Sequence, residues 1–153
     1  MIDTLKKAWH SVYHQFISMK DSPQNIALGF GIGFFLGILP FTGMVAAIGV
    51  AWFFRLNKPA AILGSLLANT WLSIVLFGVA VHVGSKVLGI SIEDIQVKCR
   101  ELIKDFHWAN LLDPFFLKIV GTVLAGFLIL SILLSLVAYG ACLAFIYWKR
   151  RAR

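Results

Sequence analysis

The chain has 153 residues, 59% of them hydrophobic and only 14% charged, with a mean hydropathy of +0.85. A soluble domain carries roughly a quarter charged residues, so the composition argues against a water-soluble globule and for an integral membrane protein. The net charge of +7 sits largely at the two ends, where anionic headgroups and the positive-inside rule explain it better than nucleic acid does.

Residues 2–19 place Ile2, Leu5, Trp9, Val12, Tyr13, Phe16 and Ile17 at helical spacing, with Lys6, Lys7, His10, His14 and Gln15 mostly between them. The spacing predicts an amphipathic helix over residues 1–20. It either lies at the cytoplasmic interface or docks on the protein's own membrane domain. His10 and His14 stand at i, i+4, yet no carboxylate or third ligand is close in sequence, so a solvated face outweighs a metal site. The segment has neither a continuous apolar core nor a small-residue cleavage site, and does not read as a signal peptide.

Residues 21–88 read as a membrane core of two broken hairpins. Asp21-Ser22-Pro23 is a helix start, with a capping oxygen before a proline whose missing N–H costs nothing there. The helix predicted over 24–39 carries Gly29, Gly33 and Gly37 at four-residue spacing, a stripe that lets another helix approach backbone to backbone. It would rise roughly 24 Å, short of the ~30 Å hydrocarbon core. Leu39-Pro40-Phe41-Thr42-Gly43 then interrupts the chain, because proline ends the helix and glycine permits a turn.

A short piece over 44–54 leads to the polar linker Arg55-Leu56-Asn57-Lys58-Pro59. Residues 60–68 follow, with Ala60, Gly64 and Ala68 as a second small-residue stripe. After Ala68-Asn69-Thr70 comes a longer apolar piece over 71–88. The lengths run long, short, short, long, mirrored about the linker. That order suggests two helical hairpins, broken or re-entrant, with their breaks facing each other. Irregular backbone at membrane depth is tolerated only where protein or a watery cavity satisfies it, so the breaks mark where function is to be sought.

Residues 89–112 change character. Ser91, Glu93 and Asp94 open a mid-chain amphipathic helix that carries Ile92, Ile95, Leu102, Ile103 and Phe106 on one face, with His107 and Trp108 near headgroup level. Asp113-Pro114 opens the last apolar stretch, predicted as one tilted transmembrane helix within residues 113–153. It ends in Tyr139, Tyr147 and Trp148 and the basic tail Lys149, Arg150, Arg151 and Arg153. Of the Lys and Arg residues, Lys86, Lys98, Arg100, Lys104 and Lys118 fall in 86–118, balanced there by Glu93, Asp94, Glu101, Asp105 and Asp113. With the N-terminus and the 55–59 linker cytoplasmic, that asymmetry favours cytoplasmic termini, four crossings and an outer 86–118 segment; re-entrant hairpins would instead put the 86–118 segment inside and leave the C-terminal tail hard to place. Cys99 and Cys142 lie far apart without metal-ligand spacing and read as free structural thiols.

The run Ser22-Pro23, Ile26-Ala27-Leu28-Gly29, Gly33, Gly37, Pro40, Gly43, Arg55-Leu56-Asn57 and Asn69 resembles the bacterial family called domain of unknown function 2062, along essentially the whole chain. In that family the second break usually reads Asn-Pro, and here it reads Asn69-Thr70. The resemblance implies a small inner-membrane protein whose domain is sometimes fused to glycosyltransferase-like modules. It implies no particular activity.

For function, Asp and Glu occur only at positions 3, 21, 93, 94, 101, 105 and 113, all outside the predicted spans. His82 is the one ionisable residue well inside an apolar run, and alone it makes no catalytic constellation. The expectation is therefore a protein that is not an enzyme and has no cofactor and no metal site. One reading is a polar site for a small anionic or lipid-linked substrate, formed by Pro40, Thr42, Gly43, Arg55, Asn57, Asn69, Thr70 and His82. Helix N-termini and exposed backbone would attract the anion. The other reading is a scaffold or anchor for envelope-glycan machinery, with a membrane protein or a second copy as partner. The small-residue stripes suit it.

Overall fold

The computed structural model describes residues 21–40, 43–68, 70–104 and 113–151. The predicted 1–20 helix with His10 and His14 lies outside the described residues, as do Phe41, Thr42, Asn69, His107 and Trp108. Among the described residues there are six helices and no strand. They are α1 (Pro23–Ile38), α2 (Gly43–Phe53), α3 (Lys58–Leu67), α4 (Thr70–Leu88), α5 (Ile92–Lys104) and α6 (Pro114–Arg151).

Local chemistry sets the ends. Ser22 Oγ accepts the Asn25 N–H at 3.2 Å, so Ser22 caps α1 with Pro23 in its first turn. Asn57 caps α3 in the same way, its Oδ1 accepting the Ala60 N–H at 2.9 Å. Two helices end in the same six-residue turn. After α4 the Ile90 N–H reaches Ser85 O across Gly89, whose φ is +65°. After α2 the Leu56 N–H reaches Ala51 O and the Arg55 N–H reaches Trp52 O, across Arg55 with φ +54°. Glycine is the usual residue in this left-handed position. An arginine there costs about 1 kcal/mol of backbone strain.

The long helix α6 is the spine. At 1.5 Å per residue its 38 residues extend roughly 57 Å. Helix α1 lies antiparallel against its C-terminal half. Ile26 and Ala27 cluster with Cys142 and Ile146, and a Cβ on Gly31 would sit 3.2 Å from the Tyr139 Cβ. Helix α4 lies antiparallel against the N-terminal half, where Gly84 faces the Thr122 carbonyl and Gly126 faces the Ala80 carbonyl, each too close for a methyl group. Ile38, Ala68, Ala80 and Phe127 form the cluster between the two halves, and Ile90, Ile95 and Ile119 seat α5 at the far end.

The most extensive pairing is α1 with α3. Gly29 faces Asn57 O, Gly33 faces Ala61 O, and Gly37 faces Ser65 O and the Ala68 Cβ, while Gly64 meets the Phe30 carbonyl in return. Ala60, at 3.4 Å from a Cβ on Gly29, completes the facing stripe. Contacts this close let dispersion act between the two backbones along the length of both helices.

These registers correct one expectation. Residue numbers rise together along α1 and α3, so the two helices are parallel. The intervening α2 returns to the α1 N-terminus, where Asn25 Nδ2 donates a long 3.5 Å bond to Arg55 O. The first pair, α1 and α2, is therefore a hairpin. The second is not: α3 follows α1, and α4, like α1, runs antiparallel to α6. The second interruption breaks a run that continues in one direction. The mirrored lengths misled because a length order does not encode direction.

Two helices, Trp71–Leu88 within α4 and the whole of α6, are long and apolar enough to cross a membrane. The described buried side chains leave no polar atom unpartnered. Ser65, Ser85 and Ser131 donate to carbonyls three residues back, and Thr122 to one four residues back. These hydroxyls serve their own helices.

Candidate functional site

The first break is a cap failure repaired from a distance. Leu39 is extended at φ −65°, ψ 131°, its N–H still reaching Phe35 O at 3.4 Å. Pro40 forbids continuation, and Gly43 restarts the chain with φ +60°. The last carbonyls of α1 have no partner within the helix. One of them, Ile38 O, accepts the Ser73 hydroxyl at 2.9 Å. Ser73 lies in the first turns of α4, just beyond the second interruption, so the two interruptions are neighbours. Ser73→Ala would leave that carbonyl unpaired beside the wholly buried Ile38. The expected loss is about 2 kcal/mol, read as a lowered thermal midpoint in detergent, with Ser73→Thr retaining most of the stability.

Because the α1–α2 hairpin stops here while α4 and α6 continue, space remains below its tip. It forms a half-open cleft of about 780 Å³. Gly37, Leu39, Pro40 and Gly43 form the roof, Ser73, Ile74 and Phe77 one wall, and Ile119, Val120, Val123, Leu124 and Phe127 the other. The α6 wall extends about 12 Å along the helix. Phe77 and Phe127 tilt together with ring centroids 6.2 Å apart. The lining is aliphatic and aromatic, and its one hydroxyl is engaged with Ile38 O. The volume is that of a small-molecule or lipid-chain pocket.

A polar cluster occupies the opposite end of α1. Asn57 Nδ2 donates to Asp21 Oδ2 at 2.8 Å, Arg150 Nη2 donates to Asp21 O at 2.9 Å, and Gln24 Nε2 donates to Tyr147 Oη at 2.7 Å. These bonds tie the starts of α1 and α3 to the end of α6. Asn57 is buried and both ends of its amide are used, so its role is structural.

The geometry divides the predicted site. Pro40 and Gly43 stand at the cleft, together with Gly37 from the packing stripe. Arg55 and Asn57 belong to the other end: Gly29, which faces Asn57, precedes Ile38 by roughly 14 Å of helix. His82 is exposed on α4, outside the cleft lining, its carbonyl accepting the Ser85 hydroxyl. Thr42 and Asn69 are outside the described residues, as is the Thr70 side chain. Sequence reasoning passed over Ser73, Phe77, Val123 and Phe127. Only Ser73 carried a signal, as a hydroxyl placed just after a break. In the sequence Tyr147 belongs to the aromatic end and Arg150 to the basic tail, and neither position encodes its bond at the start of α1.

No curated protein and no solved structure matches the chain significantly. Residues 6–153 match the family described as an uncharacterized protein conserved in bacteria (DUF2062), and the chain belongs to that family.

Proposed function

We propose that this is a multi-pass protein of the bacterial cytoplasmic membrane that binds a lipid-linked substrate, with the substrate's apolar chain in the cleft below the α1–α2 hairpin. The cleft is the observation that carries this reading. Its walls offer a long apolar surface and no acid, base or nucleophile free to act, which suits binding or passage better than chemistry.

Helix lengths and exposed surfaces support the membrane setting. Lys118 and Lys149 lie about 46 Å apart along α6, close to the ~40–45 Å of a bilayer with its headgroups. Val45, Phe53, Trp71, Val75 and Val137 are each more than two-thirds exposed, a surface suited to lipid. Arg55, Lys58, Lys149, Arg150 and Arg151 gather at one end, which the positive-inside rule makes cytoplasmic. In this reading α1 and α2, at roughly 24 and 17 Å, enter and return as a re-entrant hairpin. The interrupted α3–α4 run and α6 are the crossings, and both termini are cytoplasmic.

The test is photolabelling of the full-length protein in vesicles with a phosphatidylglycerol carrying a diazirine in its acyl chain. Labels should concentrate on Phe77, Val120 and Leu124 several-fold over the exposed controls Val75 and Val137, and Leu124→Trp should remove that excess. Uniform labelling of all lipid-facing positions would sink the proposal. A stoichiometric protein partner surviving mild detergent, with no excess label in the cleft, would favour the scaffold reading.

A further inference from the structure

We propose a second site, at the cytoplasmic end of α2 and α3, that holds the phosphate of an anionic phospholipid headgroup between Arg55 and Lys58. It stands apart from the cleft and does not depend on it. A groove of about 700 Å³ opens there, lined by Trp52, Phe53, Arg55, Leu56 and Lys58. Both cations are exposed, and neither side chain meets an acceptor among the described residues. The polar groups beside them are already committed: Asn57 caps α3 and holds Asp21, and the Asp21 carboxylate accepts from Asn57.

The backbone supplies an independent reason to look at Arg55. The turn after α4 uses Gly89 in the left-handed position; the same turn after α2 uses Arg55. Glycine would close this turn without strain, so the arginine contributes something other than turn geometry. Its position projects a permanent cation from the tightest point of the linker, three residues from Lys58. Trp52, Phe53 and Phe54 are 68%, 74% and 63% exposed, and Phe53 and Phe54 meet edge to face at 5.1 Å. Aromatic side chains at headgroup level with adjacent cations match a phospholipid, whose phosphate meets the charges while its chains lie along the rings. A free phosphate would use the cations and leave the aromatic wall idle.

The experiment is native mass spectrometry of the full chain in neutral detergent, titrated with phosphatidylglycerol, phosphatidylcholine or inorganic phosphate. The wild type should prefer phosphatidylglycerol to phosphatidylcholine. Arg55→Gly and Lys58→Gln should each weaken phosphatidylglycerol binding about fivefold, with binding of the zwitterionic lipid unchanged. Arg55→Gly should keep or raise the thermal midpoint, because it relieves the strained turn. Unchanged phosphatidylglycerol affinity in both variants would overturn the site, as would a lowered midpoint in Arg55→Gly. Displacement of the lipid by equimolar inorganic phosphate would overturn the lipid assignment. Cleft photolabelling of the same variants should stay at the wild-type level, so the two sites fail or stand separately.

Discussion

Gly33→Ala will cost about 3 kcal/mol or more, although it adds a single methyl group. The new Cβ would overlap the Ala61 carbonyl, and the contact is with backbone on both sides. Neither helix has a rotamer to give, so α1 and α3 must part along their whole length. Gly64→Ala meets the Phe30 carbonyl and Gly126→Ala the Ala80 carbonyl, with the same expectation. Gly49→Ala and Gly78→Ala are the controls, because nothing lies within 4 Å of the added atom at either position. These two should be neutral or more stable by up to about 1 kcal/mol, from helix propensity alone. Thermal unfolding in detergent, with the folded fraction read by size exclusion, checks all five. Equal losses at Gly33 and Gly78 would contradict the parallel α1–α3 packing.

Asn57→Ala is expected to cost about 2 kcal/mol. The change removes the cap on the Ala60 N–H and the bond to Asp21 at a buried position. Asn57→Ser keeps a capping oxygen and should lose about half as much. Asn57→Asp also keeps the cap but sets a second carboxylate against Asp21, and should be no better than alanine at neutral pH. Urea or thermal unfolding of the three variants orders them. Serine falling with alanine would show that the Asp21 bond dominates, and aspartate matching wild type would remove Asp21 from the account.

These variants probe features that were legible to different degrees. The four-residue spacing of Gly29, Gly33 and Gly37, and of Ala60, Gly64 and Ala68, marks helices able to approach closely, because small side chains on one face are a local property. The partner of each stripe is not local. That α3 lies parallel to α1 follows only from Gly33 facing Ala61 and Gly37 facing Ala68. The second close pair has the same four-residue spacing of small residues, Ala80 and Gly84 on α4 against Thr122 and Gly126 on α6, and which stripe meets which is again not local.

The candidate site shows the same division. Pro40 and Gly43 declare a break because proline lacks an N–H and glycine accepts a left-handed backbone, whatever surrounds them. The cleft beneath them is made by what stops and what continues: α1 and α2 end while α4 and α6 run on. No residue type announces Val123 or Phe127 as a wall. Arg55 reads in sequence as a linker charge and a candidate partner for an anion, and its left-handed φ appears only once the turn after α2 is closed by Leu56 and Ala51.

Composition, periodicity and capping residues are enough to mark the chain as helical, apolar and basic at its ends, to set the starts and stops of the described helices to within about two residues, and to show the family resemblance. Periodicity, capping residues and composition act over a few residues and are written directly in the chain. The expectation that the two interruptions face each other gained its means, Ser73 on Ile38 O, from the folded chain, which also makes the second interruption continue a run and sets Arg55 far from the cleft. Direction, register and the space left between helices depend on contacts between residues distant in sequence, and no local preference encodes them.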